Sequence, residues 1–391
     1  MPEEKTMNRR RFLRRGLAIG GAAVGGGALT LSAPALFEAA AEMVNGPKTP
    51  INGVGLDDPM LVQLSLNENP FGASRLAIEA VSRRIFGMNR YPFHGRLEKA
   101  IAEHLDMPED YILTGGGSTE ILNLAVLSTY YEEKGNTITG QPSYFDVPSR
   151  TARVGGEVKQ IPVMDNWSLD LEAMAAAVDD ETRLINICNP NNPTGQILDP
   201  DALERFIMNV PEHILVLLDE AYIEFSGGSY RSMIPLTKQA KNLLVARTFS
   251  KVYGLAGVRV GYGVAQPDLL RRLARFGTGR LNKNTLSAEA AIAALRDQNH
   301  VRHTVDMVRK GREYLYGELE AMGHEPIRTE TNFIPVKTTG SPEWLLGQLF
   351  IRDVRVTMSN GMDDYVRISV GQPHENEALT AAMKDAGDNF L

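Results

Sequence analysis

The chain has 391 residues but only one cysteine, Cys188, so it cannot form an intrachain disulfide. Its seven histidines show no metal-ligand spacing, and no segment of the sequence repeats. Positive charge is not in excess, because 48 acidic residues outnumber 41 basic residues and the net charge is −7. The sequence therefore favours neither a disulfide scaffold, nor a histidine-rich metal centre, nor a nucleic-acid-binding protein.

Strand-like and helix-like segments alternate from about residue 75 to residue 290, as a parallel sheet with crossover helices requires. This pattern predicts an α/β fold whose large domain, residues 75–290, holds a mostly parallel sheet flanked by helices. An alanine-rich run, Ser287–Leu295, is predicted to bridge to a smaller α+β domain. That domain would combine residues 36–74 with residues 291–391.

The start of the chain resembles an export signal. A basic segment, Asn8–Arg14, precedes a run from Gly16 to Phe37 without any charged residue, and Ala33-Pro-Ala35 is a small-residue cleavage site. Paired arginines, and an apolar run rich in glycine and alanine rather than leucine, resemble a twin-arginine signal. We predict that residues 1–35 direct export, with cleavage near Ala35 and a periplasmic or otherwise exported product. The alternatives are a disordered basic tail on a cytoplasmic protein and an uncleaved anchor, which the many glycines disfavour.

A lysine on a glycine-bounded turn, Lys251, is the first indication of chemistry. Ser250 precedes it, and Arg259 follows eight residues later in a short apolar run. A lysine that forms a Schiff base must be held still and partly desolvated, and a cofactor phosphate needs hydroxyls and a fixed cation nearby. For Lys251 taken alone, the alternative interpretation is an ordinary surface lysine in a loop.

Two further blocks follow apolar runs that predict buried parallel strands. The run Val216–Asp219 ends in a carboxylate, at the strand end where open α/β sheets place their ligands. This carboxylate can pair with the protonated ring nitrogen of pyridoxal phosphate, and Tyr222 can hydrogen-bond its phenolic oxygen. The turn Asn189–Gly195, fixed by two prolines and a glycine, places Asn192 to reach the same oxygen. An acidic strand end and a plain Asn/Pro loop remain the alternatives.

A glycine-rich turn, Gly115–Gly117, leads into a predicted helix that opens with Ser118 and Thr119. The N-terminus of a helix presents backbone N–H groups and a positive dipole end to a phosphate. Such a turn is weak evidence alone. We predict that it meets Ser250 and Arg259 around one phosphate.

These blocks, in this order and with Pro142-Ser143-Tyr144 between the glycine turn and the Asn/Pro loop, resemble fold-type I pyridoxal-phosphate enzymes of the class I/II aminotransferases. Within that class the sequence is most similar to the histidinol-phosphate aminotransferase group. The resemblance covers roughly residues 60–391. The motifs that carry the narrower similarity are Leu66–Gly72, Arg90–Pro92, Trp167–Asp170, Asp219–Phe225, Glu330–Phe333 and Val366–Gly371.

The resemblance implies a role for each cofactor residue, with pyridoxal 5′-phosphate as the cofactor. Lys251 would carry the cofactor and move a proton, Asp219 would hold the pyridinium nitrogen, and Tyr144 would stack on the ring. Thr119 stands where the family commonly has aspartate, which matters little if backbone N–H groups make the contact. The phenolic oxygen would be contacted by Asn192 and Tyr222, and the phosphate by Ser118, Thr119, Thr248, Ser250 and Arg259.

The resemblance also implies a homodimer with shared active sites, in which Tyr91 reaches the phosphate of the neighbouring subunit's cofactor. Arg367 would bind the substrate α-carboxylate through its bidentate fork, and Asn69 would also contact substrate. The implied reaction moves an amino group from an L-amino acid to a 2-oxo acid. The same scaffold supports β-elimination and decarboxylation, so a β-lyase or a decarboxylase is the alternative; a non-catalytic cofactor-binding protein is a remote one.

The sequence departs from this family where a substrate phosphate would bind. Histidinol-phosphate aminotransferases commonly have an arginine on the strand shortly before the carboxylate-binding arginine, and here that position holds Thr357. We therefore predict that an unphosphorylated amino acid, aromatic or otherwise bulky, is a better donor than histidinol phosphate. Arg355 and Arg280 are the alternative sources of the missing cation after a register shift.

Overall fold

The computed structural model describes residues 61–92, 95–131 and 133–388. The predicted signal, its cleavage site and residues 36–60 lie outside these residues, as does the side chain of Arg280. The strands in chain order are β1 (Val62–Gln63), β2 (Ile112–Gly115), β3 (Asn136–Gln141), β4 (Glu157–Pro162), β5 (Thr182–Cys188), β6 (Leu215–Asp219), β7 (Leu243–Thr248), β8 (Gly261–Val264), β9 (Glu325–Pro326), β10 (Phe333–Lys337), β11 (Val354–Arg355), β12 (Thr357–Met358) and β13 (Tyr365–Ser369).

The helices alternate with these strands. They are α1 (Arg75–Arg84), α2 (Arg96–Leu105), α3 (Ser118–Tyr130), α4 (Asp146–Arg153), α5 (Leu171–Ala176), α6 (Pro200–Asn209), α7 (Pro267–Ala274), α8 (Thr285–Arg296), α9 (Gln298–Ala321), α10 (Pro342–Phe350) and α11 (Pro373–Asp388). Short 3₁₀ turns occupy Ile85–Gly87, Glu109–Tyr111, Ile223–Ser226, Ile234–Lys238, Ala256–Val258 and Arg280–Asn282. Within the described ranges, no helix has the length and apolar character needed to cross a lipid bilayer.

The main sheet has seven strands in the order β2-β8-β7-β6-β5-β3-β4. All neighbours are parallel except β8, which runs antiparallel to β2 and β7. Strands β6 and β7 are buried at every residue, because helices cover the sheet, and the polar side chains of the two strands are confined to their carboxyl ends. The carboxyl ends of β2, β3, β5, β6 and β7 consequently meet at one edge.

A smaller antiparallel sheet, in the order β12-β13-β10-β9, lies in the carboxyl-terminal part of the chain. Strand β1 pairs with β11, and Leu64 continues the connection by donating to Arg355 O and accepting from Ser369 N. The segment that follows, residues 65–72, is thereby tied to the small sheet. The predicted α/β fold with a mostly parallel sheet is confirmed, whereas the boundaries of the two domains stay a prediction.

Six of the described helices begin with a side-chain cap, and α3 is among those that do not. Ser74, Asp170 and Asp199 accept hydrogen bonds from the first turns of their helices, as N-cap residues do. Helix α3 begins after Gly117, and no side chain of the described residues caps it there. Its first residues, Ser118 and Thr119, lie at the sheet edge where the other strands end, and the N–H groups of an uncapped helix start are suited to an anion.

Candidate active site

A cavity of about 430 Å³ lies at the edge where the parallel strands end. It is lined by residues from the start of α3, the Asn/Pro loop, the lysine turn and the small sheet, which are far apart in sequence. The structure brings eleven of the predicted site residues to its walls: Ser118, Thr119, Tyr144, Asn192, Asp219, Tyr222, Thr248, Ser250, Lys251, Arg259 and Arg367.

Lys251 sits on the turn after β7 and is partly buried. Its Nζ donates to Leu66 O at 3.0 Å and lies 5.6 Å from the centre of the Tyr222 ring. The turn is held close to the amino-terminal segment because Gly254, at φ +67°, leaves room for the backbone; a Cβ there would lie 2.1 Å from Gly72 O. Burial, and next the positive charge of Arg367, lower the pKa of Lys251 to about 8, so the amine can lose its proton near neutral pH.

Asp219 ends strand β6 and is only 5% exposed. Its carboxylate accepts a hydrogen bond from Ala221 N at 3.1 Å. Burial raises the pKa of Asp219 to about 7, because little solvent remains to stabilise the charged form. A buried carboxylate of this kind favours a positively charged partner, such as a protonated ring nitrogen.

Tyr222 and Asn192 are both buried and line the cavity. Both are expected to hydrogen-bond the phenolic oxygen of the cofactor, but each also has a hydrogen-bond partner within the protein. Asn67 Nδ2 donates to Tyr222 Oη at 3.0 Å, whereas Asn192 Nδ2 is 3.5 Å from the same atom. Asn192 uses its other amide atom, Oδ1, to accept from Arg367 Nη1 at 2.7 Å. Since Tyr222 Oη already accepts from Asn67, its own proton remains for an acceptor in the cavity.

The phosphate-binding residues converge at the start of α3. Arg259 Nη1 donates to Ser250 Oγ at 3.3 Å, and Thr248 Oγ1 accepts from Ser250 N at 3.0 Å. Gly117 has φ +87°, and a Cβ there would lie 2.5 Å from Arg259 Nη2, so only glycine lets the guanidinium approach the helix start. Hydroxyls, a cation and helix N–H groups together form a site for a phosphate.

Arg367 projects from β13 into the same cavity from the small sheet. Its Nη2 donates to Ser65 O at 3.1 Å, and its guanidinium lies 5.5 Å from the Phe333 ring centre. Burial lowers the pKa of Arg367, although the group stays charged. Its Nε is buried without a hydrogen-bond partner among the described residues, and its register partner on β12 is Thr357.

Two predicted site residues do not line this cavity. Tyr91 is 73% exposed and is absent from its walls. Asn69 lies in the wall of a smaller neighbouring cavity, and both polar atoms of its side chain are engaged, by Val252 O at 2.7 Å and by Phe71 N at 2.9 Å. Its contacts therefore favour a structural role, in which it fastens the amino-terminal segment to the lysine turn.

A family model for class I and II aminotransferases matches residues 59–383. The histidinol-phosphate aminotransferase of Akkermansia muciniphila is 34% identical over 336 residues, which cover 85% of this chain and 92% of that protein. The chain belongs to the class I and II aminotransferases. The predictions of an aminotransferase, of a fold-type I structure and of pyridoxal 5′-phosphate as the cofactor are confirmed.

Two solved structures show how widely this aminotransferase fold is shared. The histidinol-phosphate aminotransferase of Sinorhizobium meliloti, in complex with pyridoxal 5′-phosphate, has a TM-score of 0.80 at 24% identity, with 93% of this chain and 99% of that chain covered. The L-threonine-O-3-phosphate decarboxylase of Porphyromonas gingivalis has a TM-score of 0.73 at 21% identity, with 84% of this chain and 100% of that chain covered. Both likenesses show the fold alone.

The cavity of this aminotransferase fits its cofactor at three separate points. Asp219 offers a buried carboxylate to the ring nitrogen, and Lys251 offers an amine that deprotonates near neutral pH. The third point is the cradle of Gly117, Ser250 and Arg259, where any Cβ on the glycine would displace the guanidinium. The electrostatic character of each point matches the part of the cofactor that it would meet.

Sequence reasoning gave no role to several residues that line the cavity of this aminotransferase. Asn67 and Glu68 belong to a motif that indicated the family, but nothing in their spacing showed that one bonds Tyr222 and the other faces the lysine. Further unassigned residues are Ser143, Phe145, Cys188, Met358 and Asn360. Strand β12, only two residues long, has no periodicity from which its inward side could be read.

Proposed function

We propose that this aminotransferase transfers the amino group of an unphosphorylated, bulky L-amino acid to a 2-oxo acid. The observation that carries the proposal is the composition of the cavity walls. Among the described residues that line it, the only cations are Lys251, Arg259 and Arg367, and each already has a task. None remains to bind a substrate phosphate in addition to the phosphate of the cofactor.

The part of the cavity wall that would face a donor side chain contains uncharged polar and apolar residues and, among the described residues, no basic one. The cavity walls include Thr357, Met358 and Asn360, on and just after β12, and Tyr144 and Phe145, which follow β3. A charge-assisted contact to phosphate is worth about 1.5–3 kcal/mol, so its loss weakens binding of a phosphorylated donor roughly tenfold to over a hundredfold. An aromatic or aliphatic side chain suits these walls better.

Arg355 does not supply the missing charge. It lies on β11, where its guanidinium stacks 3.8 Å from the centre of the Phe350 ring and its Nη1 donates to Phe350 O at 2.8 Å. These contacts hold it outside the cavity walls. The relative from Akkermansia muciniphila acts, by its name, on histidinol phosphate, and the proposal is that this chain has diverged from that substrate.

The residues of the chain divide the work of the reaction as follows. When bound, the cofactor withdraws electrons from the donor Cα, which makes its proton acidic. Lys251 Nζ takes that proton and returns it, Asp219 stabilises the positive ring nitrogen, and Tyr222 Oη donates to the phenolic oxygen. Arg367, braced by Asn192, holds the donor carboxylate so that the Cα–H bond faces the lysine.

We further infer that the enzyme is a homodimer exported through the twin-arginine route. The exposed Tyr91 is available to a second subunit, and a cofactor that binds in the cytoplasm suits a route that carries folded proteins. Replacing Arg9 and Arg10 by lysine keeps the charge and should leave folded, cofactor-loaded enzyme in the cytoplasm. Unchanged recovery from the periplasm would contradict the route.

A donor panel tests the proposed reaction. Purified enzyme is mixed with single amino acids while the cofactor absorption is followed, and kcat/KM is then measured for the active donors and for histidinol phosphate. Conversion of the cofactor with formation of a 2-oxo acid supports transamination, whereas ammonia and pyruvate without an acceptor would indicate a β-lyase. A higher kcat/KM for histidinol phosphate than for every unphosphorylated donor would refute the substrate assignment.

A further inference from the structure

A second cavity, of about 140 Å³, adjoins the first. The two share three wall residues, Glu68, Ser250 and Ala256, so the second cavity lies beside the lysine turn. Its volume holds on the order of four water molecules, at about 30 Å³ for each. The polar side chains around it, which water needs as partners, are Gln63, Glu68, Asn69, Ser250, Ser369 and Glu375.

Glu68 stands between the two cavities with an uncommitted carboxylate. Its backbone is fixed, because Asn332 Nδ2 donates to Asn67 O at 3.0 Å and to Glu68 O at 3.2 Å. Its carboxylate, however, accepts no hydrogen bond from the described residues. Burial raises the pKa of Glu68, and the positive charge of Lys251 partly offsets this rise.

Glu375 lies on the wall of the second cavity and is 5% exposed. One of its oxygens accepts from Gln372 N at 2.7 Å. Burial raises its pKa, while that hydrogen bond and the charge of His374 oppose the rise. The second cavity thus has a titratable carboxyl group on each side, in a space large enough for water.

We propose that Glu68 and the second cavity form a proton-exchange route between Lys251 and solvent, used while substrate and cofactor fill the first cavity. A proton leaves the Lys251 ammonium, is relayed by water to the Glu68 carboxylate between the two cavities, and passes from Glu68 to water in the second cavity, which restores the carboxylate. No electrons are transferred and no co-reactant is consumed. Glu68 acts here as a proton relay for Lys251.

The charged neighbours of Lys251 act on its proton in both directions. Around Lys251, the positive charges of Arg367 and Arg259 favour loss of the proton, whereas Asp219 and Glu68 favour its retention. Among the described residues, only Glu68 and Glu375 are ionisable in the second cavity. The route rests on the proposed role of Lys251 as the carrier of the donor's proton.

Isotope exchange tests the route. The holoenzyme is incubated in D₂O with a donor amino acid and its own ¹³C-labelled 2-oxo acid, so that each amino transfer creates one ¹³C-labelled amino acid. NMR then reports whether its Cα carries protium, returned from the donor, or deuterium from solvent. In Glu68→Gln we expect the deuterium-to-protium ratio to fall about tenfold, because a general acid–base group has been removed. Glu68→Asp keeps a carboxylate and should keep most of the exchange.

Two further variants make the result specific. Glu330 is a control: it is partly buried, and burial raises the pKa of its carboxyl group as it does for Glu68, but it lines neither cavity. Glu330→Gln should therefore leave the isotope ratio unchanged. Glu375→Gln acts at the far side of the second cavity, should lower the ratio by a smaller factor, and serves as the test if Glu68→Gln does not fold. If Glu68→Gln transfers amino groups normally and its isotope ratio is unchanged, the proton route is overturned while the proposed function stands. The same holds for Glu375→Gln if it has to replace Glu68→Gln. Absence of ¹³C-labelled amino acid with wild-type enzyme and every donor would overturn the proposed function as well.

Discussion

The two walls of the main cavity differ in how their side chains are held. On the wall formed by the large sheet, Asp219 and Tyr222 are buried, and each has a hydrogen-bond partner within the protein. On the wall formed by the small sheet, Thr357 and Met358 are only partly buried and lie on a two-residue strand. The comparison suggests that the first wall determines the chemistry and that the second can change its substrate without disturbing it.

The largest effect is expected on the large-sheet wall, at Lys251. Lys251→Ala removes the amine that would carry both the cofactor and the proton, so amino transfer and borohydride-reducible cofactor attachment should both be lost. Mass spectrometry of the reduced, digested protein checks this, with Lys283→Ala as a control lysine outside the cavity. Attachment that persists at another lysine would contradict the assignment.

Asp219→Ala should have the next largest effect. Removing the buried carboxylate takes away the partner of the ring nitrogen and costs several kcal/mol of transition-state stabilisation, about a thousandfold in kcat. Some cofactor should remain bound, because the phosphate cradle is untouched. Measuring kcat and cofactor content together separates the two effects, and near-normal turnover would rule out the proposed pairing.

On the small-sheet wall, Arg367→Lys keeps the charge but loses the planar fork. Lysine cannot replace both the contact to Asn192 and a bidentate contact to the donor carboxylate, so kcat/KM should fall roughly tenfold to a hundredfold. The cofactor absorption without substrate should not change. A shifted spectrum in this variant would show that the two walls are not independent.

A smaller effect is expected at Asn67, which links the walls. Asn67→Ala removes the donor to Tyr222 Oη and one tie to the Ser369 hydroxyl, which is 3.2 Å from Asn67 Oδ1. Loss of a hydrogen bond of this kind costs about 1 kcal/mol, or roughly fivefold in kcat. Steady-state kinetics with one good donor would measure this change, and an unaltered kcat would show that Tyr222 does not depend on Asn67.

The large-sheet wall could be predicted from sequence because each of its residues follows a recognisable strand or turn. Asp219 ends an apolar run, and Ser118 opens a helix after three glycines, so the strand ends alone place them together. The small-sheet wall could not be predicted in this way. Asn67 is placed by a contact with a segment 302 residues away, Asn67 N with Ser369 Oγ at 2.8 Å, and Thr357 by the pairing of the two-residue strand β12 with β13. No local pattern in the sequence encodes either contact.

The most direct test of the division between the walls is the specificity of Thr357→Arg. The measured quantity is kcat/KM for histidinol phosphate divided by kcat/KM for the best unphosphorylated donor, in the wild type and the variant. Thr339→Arg, which adds the same charge at an exposed site outside the cavity, is the control. A new charge-assisted contact predicts a ratio that rises tenfold or more in Thr357→Arg alone, with an unchanged cofactor spectrum. An unchanged ratio, or an equal rise in Thr339→Arg, would contradict the account.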